Sequence, residues 1–451
     1  MSKIKIIIPI LLLLLILAWA VPSLLKAMPD RYVMRLPEPL QKIGLPESQA
    51  SILPTVARPA EVQDLLLAEN ASDETTQVNS PAPTAEAEET VPTAAELAAN
   101  TSEGTAEPTS DSAPATPVPV PTSTAWPLAK SSRLQGFQHK FQSWNNCGPA
   151  TLAMGLTYFD LNISQKATAA VLKPNPEDRN VGPDEMAAYV NEHTPYRALS
   201  RVDGNREMLR RFVVNGIPVI IEIGIDPPGE YRWLGWYGHY LLVVAYDDQQ
   251  EQFWVYDSWF GTSEEPLTNA HPDGRGLSYE ELDTYWPHFN RNYIALYEME
   301  QESLVNSIIG EEIDETIMWQ NALDSVQRET VEDPDNAFYW FNLGTIYYAQ
   351  GENDKAATAF DQARAIGLPW RMLWYQFGPY ETYYKAGRYE DVLLLTEVTL
   401  EDRPYFEESY YFQGLALAAM GDEEGARQSL EKAASFNPNF LPAVEALDTL
   451  Q

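Results

Sequence analysis

The chain of 451 residues contains one cysteine, Cys147, which therefore has no partner for an intramolecular disulfide. Its setting is "QSWNNCGPATLAMGL", residues 142–156, with Gly148 and Pro149 directly after the sulfur. Proline suits the first turn of a helix, and Leu152, Met154, Leu156 and Phe159 continue with helical spacing over 148–159. Cys147 then lies at a helix N-terminus, where unpaired N–H groups and the helix dipole stabilise an anion. The thiolate is the attacking form of cysteine. Gln142, five residues earlier, carries an amide that could join the Cys147 N–H in an oxyanion hole.

A cysteine nucleophile needs a base, and the base needs an orienting acid. The five histidines are His139, His193, His239, His271 and His288. His239 opens an apolar run, "HYLLVVAY", and Asp257 closes the next one, "QFWVYD", eighteen residues on. If "DDQQE" (247–251) is the hairpin loop, Tyr246 faces Gln252, paired numbers sum to 498, and His239 faces Trp259. Asp257 then sits on the same face as His239, on a diagonal of roughly 7–8 Å that long side chains bridge. A one-residue slip would put the two on opposite faces. His139 is the rival base, in the loop before the cysteine; the other three read as surface or packing residues. Each member has a bland reading: a lone Cys as a small buried hydrophobe, a strand-opening His as structural, Asp257 as a turn former. The constellation is what favours chemistry. The aromatic run "YRWLGWYGHY" (231–240) before the base reads equally as a groove wall, with Gly235 and Gly238 lending mobility, or as core.

These residues need a scaffold, and residues 131–300 supply one. Helical patterns at 148–159, 183–193 and 205–216 precede β-rich runs at 217–225, 239–246 and 252–257. Ser278 and Glu281 form a capping box for a short helix, and 292–300 reads as a last strand. Helices followed by an antiparallel sheet make an α+β domain. Residues 301–451 are helical and repetitive. Gly351, Gly387 and Gly421 recur 36 and 34 residues apart, and Pro369, Pro404 and Pro438 close the units. Trp340, Leu343, Gly344, Tyr347, Gly351, Ala356, Phe360 and Ala363 follow the tetratricopeptide pattern; the second unit, with Val392, Thr396 and Thr399, is degenerate. Such repeats imply a surface for a protein partner.

Ahead of both regions lies the apolar run 6–25, preceded by Lys3 and Lys5. Its length suits a membrane-spanning helix with a cytoplasmic N-terminus. Residues 1–27 are therefore expected to be a membrane anchor, or a signal segment cut near Ala18-Trp19-Ala20. The domains would then lie outside the cytoplasm, or be secreted if the segment is cleaved. Residues 28–130 read as an extended, mostly disordered linker. Residues 68–129 hold ten acidic residues and no basic one, a composition that cannot bury enough to repay ordering. The formal charge of −35 argues against nucleic acid as a partner. No phosphate loop, zinc spacing or EF-hand pattern is present, so no cofactor or metal is expected.

The order Gln–Cys–His–Asp, on a helix start and a following sheet, resembles the papain-like arrangement. "QSWNNCGPATLAMGL" with "GHYLLVVAYD" and "YDSW" more closely resembles the bacteriocin-processing, double-glycine leader peptidases, in their stand-alone branch, over about residues 135–300. The resemblance implies a papain-like cysteine peptidase with Cys147 as nucleophile, His239 as base, Asp257 as orienter and Gln142 as oxyanion donor, acting on a peptide or protein. Transporter-fused relatives usually carry the glutamine six residues before the cysteine; here the spacing is five, and Gln138, nine before, is a poor substitute. The expectation is thus a membrane-anchored, extracytoplasmic cysteine peptidase with protein-binding repeats. Two alternatives stand beside it. One is a transglutaminase-like or cell-wall amidase enzyme on the same triad. The other is a catalytically silent binding or scaffold protein.

Overall fold

The computed structural model describes residues 127–178, 181–226, 235–262 and 273–450, with Ile52–Thr55 and a few isolated positions between 21 and 43. The apolar run 6–25 is described only at scattered positions, and the acidic stretch lies outside the described residues almost entirely. Among the described residues no helix is long and apolar enough to cross a membrane.

Seven antiparallel strands form one sheet: β1 (Ser131–Arg133), β2 (Arg197–Arg201), β3 (Val219–Ile225), β4 (Tyr237–Asp247), β5 (Gln252–Asp257), β6 (Arg275–Ser278) and β7 (Tyr293–Tyr297). The order is β2-β7-β3-β4-β5-β6, with β1 also paired to β4. β4 is the spine. Its first half pairs with β3 and its last three residues with β1. Both faces of the sheet are covered, which is why β3 and β4 read as continuous apolar runs rather than alternating ones. On one face lie α1 (Cys147–Leu156), α2 (Gln165–Leu172) and α3 (Pro183–His193), with Leu152, Leu156, Met186 and Val190 against Ile220, Leu242 and Leu296. On the other lie α4 (Arg206–Val214), α5 (Tyr279–Tyr285) and α6 (Glu302–Ile309), with Phe212, Leu282 and Val305 against Ile221, Leu241 and Val243. The Ser278/Glu281 capping box forms, each partner bonding the other's backbone N–H. Periodicity alone misses β2 and β6. Both are short, carry arginine, and lie at the two ends of the sheet order, where little apolar burial marks a strand.

The helical region continues with α7 (Glu315–Glu332), then the pairs α8 (Ala337–Ala349) with α9 (Asn353–Ile366), α10 (Gly378–Lys385) with α11 (Tyr389–Asp402) and α12 (Glu407–Ala419) with α13 (Glu423–Phe436), and finally α14 (Leu441–Thr449). Gly351, Gly387 and Gly421 each end the first helix of a pair with positive φ (80°, 70° and 87°), the left-handed conformation that glycine adopts freely.

The repeats are packed onto the α+β domain. Trp236, at the approach to β4, packs on Phe289, Phe338 and Tyr375. Arg371 donates to the Trp236 carbonyl and lies over the Tyr237 ring, and Asn342 donates to the Pro287 carbonyl. One further contact falls inside the stretch read as linker. Leu53 is 1% exposed within the repeat core; its N–H bonds the Leu368 carbonyl, and Arg364 donates to the Pro54 carbonyl. The chain is therefore pinned to the repeats at 52–55, before the acidic stretch begins.

Candidate active site

Cys147 is the first residue of α1 and is partly exposed. Asn146, the N-cap, makes no capping bond with its side chain; its amide donates instead to Gln165 Oε1. The N-terminal N–H groups of α1 are thus left without a side-chain acceptor from the cap. Gly148 lets this turn close on the sheet: a Cβ there would lie 3.4 Å from Val181 and 3.5 Å from the Tyr240 ring.

His239, 4% exposed, is the third residue of β4. Its Nε2 lies 2.7 Å from Asp257 Oδ1, and Asp257 is fully buried at the end of β5. The Cys147 sulfur also acts on this ring, and with Nε2 committed to Asp257 the nitrogen left to serve it is Nδ1. Burial pushes the His239 imidazole down, but the charge and hydrogen bond of Asp257, with help from Cys147, outweigh it and hold the ring up to about 10. Burial likewise pushes Asp257 up, but His239, Arg275 and the Trp259 N–H hold its carboxyl well below the usual range. The site therefore carries an imidazolium clamped by a carboxylate.

The register that produces this differs from the one read from sequence. The hairpin loop is 248–251, and Asp247, not Tyr246, faces Gln252, so pairs near the loop sum to 499. A bulge between Val243 and Ala245 removes the extra residue, and Val243–Val255, Leu242–Tyr256 and Leu241–Asp257 return to 498. Asp257 thus shares a face with Leu241 and His239, as the sequence predicts, although the hairpin end does not match. Trp259 does not face His239, because the chain turns at Asp257, whose backbone pairs with Gly261.

Gln142 is held at the same corner. Its N–H bonds the Ser258 carbonyl at 2.7 Å, and its Oε1 accepts the Ser258 hydroxyl at 2.8 Å. The short path to Cys147 is made by a turn, with Asn146 N–H on the Ser143 carbonyl and Asn145 at φ 50°. Gln165 staples this turn: its Nε2 donates to the Phe141 carbonyl, and its Oε1 accepts from Ser143 and Asn146.

The remaining histidines are elsewhere. His139 puts Nε2 on the Asp257 backbone carbonyl at 2.8 Å and packs against Phe141 and Tyr256, so it buttresses the acid's strand. His288 accepts from Trp236 Nε1 and stacks on Phe338, and burial pushes it down to about 3. His193 packs on Tyr189, and His271 lies outside the described residues. Of the aromatic run, 231–234 lie outside the described residues, while Trp236 is core. Gly238 serves close packing rather than mobility, since a Cβ there would lie 2.6 Å from Phe289.

Three residues escape sequence reasoning. Arg275 sits with Nε 3.4 Å from Asp257 Oδ2 and its guanidinium over Phe260. Its signal is absent from the sequence, because β6 is itself unmarked. Gln165 is equally silent. Ser258 lies within the quoted "YDSW" and was visible only as the residue after the acid. Among the described residues, Asp178, Glu407 and Glu408 lie close enough to share a cation. Burial, with Asp178 and Glu407 adjacent, pushes the Glu408 carboxyl well up.

Residues 134–289 match the model of the Peptidase C39 like family, and 337–367 and 407–440 match tetratricopeptide repeat models. No curated protein matches. Among solved structures, a protein from Bacillus anthracis described as a C39-like peptidase is similar at 15% identity and TM-score 0.29, covering 38% of this chain and 98% of its own. The crystal structure of MamA is similar at 17% identity and TM-score 0.28, covering 32% of this chain and 82% of its own. The chain thus carries a C39-like domain followed by tetratricopeptide repeats.

Proposed function

We propose that the C39-like domain of this chain is a working cysteine peptidase, with the repeats presenting a protein partner or substrate to it. The observation that supports this most is the buried His239–Asp257 pair, 2.7 Å apart, beside a cysteine at an uncapped helix N-terminus. The Cys147 thiolate attacks the carbonyl carbon of a peptide bond, forming the S–C bond and moving the carbonyl π electrons onto oxygen. The Cys147 N–H and Gln142 Nε2–H receive that oxyanion. His239 Nδ1–H protonates the leaving amine as the C–N bond breaks, leaving an acyl-enzyme and a neutral imidazole. The imidazole then takes a proton from water, whose oxygen attacks the thioester carbon; collapse releases the carboxylic product and regenerates thiolate and imidazolium. Asp257 holds the ring tautomer throughout. Residues 6–25 would anchor the protein, with its domains outside the cytoplasm, or direct secretion if removed.

Incubating the full chain with a mixed peptide library, beside Cys147→Ser, tests the reading. New peptide termini that depend on Cys147 are the expected result. An identical product pattern from both proteins, or none, would sink the peptidase assignment.

A further inference from the structure

Ser258 is fully buried, polar, and bonded to Gln142 twice. Neither bond belongs to a sheet ladder. The backbone bond fixes where Gln142 lies. The hydroxyl bond fixes which way its amide faces, because an amide has one acceptor oxygen and one donor nitrogen on opposite sides. With Oε1 held by the Ser258 hydroxyl at 2.8 Å, Nε2 faces away from it, and no hydrogen bond among the described residues occupies that nitrogen. An oxyanion needs this orientation. The reverse flip would present a carbonyl oxygen to a developing negative charge. A glutamine side chain also has considerable rotamer freedom to lose, on the order of 1.5–2 kcal/mol, and a buried hydroxyl can offset part of that before substrate arrives.

We propose that Ser258 is the positioning residue for the oxyanion hole, holding the Gln142 amide with its N–H groups toward the reacting carbonyl. The inference rests on the peptidase reading. It also explains how the shortened Gln–Cys spacing is accommodated. The glutamine is located by the end of β5 rather than by its distance along the chain from the cysteine. Asp257 and Ser258 are consecutive, so one turn orients both the imidazole and the amide.

Two thiol probes on the full chain separate this role from a general structural one. p-Nitrophenyl acetate acylates sulfur through a tetrahedral oxyanion: the S–C bond forms and p-nitrophenolate leaves with the ester C–O electrons. Iodoacetamide alkylates sulfur by displacement of iodide and forms no oxyanion. Removing an oxyanion donor costs about 10²–10³ in rate, and Ser258→Ala should lose about tenfold or more of the acylation rate while iodoacetamide alkylation is unchanged. Ser258→Thr, which keeps the hydroxyl, should retain acylation. Gln142→Ala should show a deficit at least as large, and the double variant should be no slower than Gln142→Ala alone, because both act through one amide. A Ser258→Ala variant that slows both probes equally, slows neither, or adds its full deficit to that of Gln142→Ala would overturn the proposal. Wild-type Cys147 reacting with iodoacetamide no faster than free cysteine at pH 6 would instead remove the peptidase reading beneath it.

Discussion

Asp257→Asn isolates the charge of the acid from its shape. Asp257 Oδ1 accepts from His239 Nε2 at 2.7 Å, Trp259 N–H at 2.8 Å and Phe260 N–H at 3.0 Å. An asparagine oxygen can keep all three bonds, while its NH₂ would face Arg275, 3.4 Å from the other oxygen. A hydrogen bond to a charged group contributes about 1.5–3 kcal/mol against about 0.5–1.5 for a neutral one. Taking the middles of those ranges, the imidazolium loses about 1.25 kcal/mol from this bond, or nearly tenfold in its equilibrium with neutral imidazole. In the wild type the ring stays protonated up to about pH 10, so an imidazolium stands beside Cys147 across the neutral range. Without the carboxylate, burial is the dominant remaining influence and lowers the ring's proton affinity. With burial no longer opposed by the carboxylate's charge, the ring should give up its proton at a lower pH, so the second-order rate of iodoacetamide alkylation should fall below the wild type's from pH 6 upward, and the two proteins should converge at pH 9 and above, where thiols ionise unaided. Equal rates at pH 6, with superimposable pH profiles, would refute the reasoning. They would show that Asp257 positions the ring without supporting its charge.

Glu222 is 3% exposed, accepts from Asn292, and is pushed by burial up to about 8, against the 4.5 ordinary for the group. The folded state holds this proton more tightly than the unfolded one, so stability is full below pH 4.5 and declines as pH rises toward 8. Glu222→Gln should flatten that decline in melting temperature between pH 5 and 8; an unchanged slope would contradict it. Gly414 has no space for a methyl, since a Cβ would lie 2.7 Å from Leu430 Cγ, and Gly414→Ala should cost about 1–3 kcal/mol by denaturant unfolding. Gly351→Ala meets nothing within 4 Å and should cost only the strain of its positive φ, about 1 kcal/mol. Leu53→Asp should release the segment at 52–55 to limited proteolysis while the repeats keep their melting temperature; protection equal to wild type would mean that the contact does not hold the segment.

The repeat region shows why pattern reading succeeds in outline and falters within a unit. The glycine spacing was legible because each glycine fills one backbone requirement, a left-handed residue after the first helix. Inside the pairs the governing quantity is shared volume, which no single position reveals. Seven residues before the turn glycine stand Gly344, Tyr380 and Gly414, and nine after it stand Phe360, Thr396 and Leu430. Where the first helix carries glycine, the second carries a large side chain that packs on it: a Cβ at Gly344 would lie 2.6 Å from Phe360. In the middle unit the bulk is on the first helix instead, and Tyr380, fully buried, bonds Thr399 and Ser409 by its hydroxyl. The apparent degeneracy is an exchange of large and small. Arg275 and Gln165 were beyond this kind of reading, because they act across folded distance on residues more than fifteen positions away.

The pairing of His239 with Asp257 depends on two features that sequence reasoning could not weigh separately. Turn chemistry places the loop at 248–251, one residue shorter at its start than the composition of "DDQQE" suggests. That register alone would put Asp257 on the face opposite His239, since side chains alternate with period two. The bulge between Val243 and Ala245 restores it. The bulge lies where β4 passes from β3 as its neighbour to β1, with Val243 on Val219 and Ala245 on Arg133. A strand that changes partners must bend there, and a bulge is the usual means of bending. The extra residue is thus tied to the arrival of β1. Had β1 been absent, β4 could have run straight, and the imidazole and carboxylate would have faced apart. Deleting Val244 takes out the extra residue itself, so Val243–Val255 and Ala245–Trp254 become successive pairs and Leu241 still faces Asp257; the enhanced thiol reactivity at pH 6 should survive, and its loss in a variant that folds would show that register is not what aligns the pair.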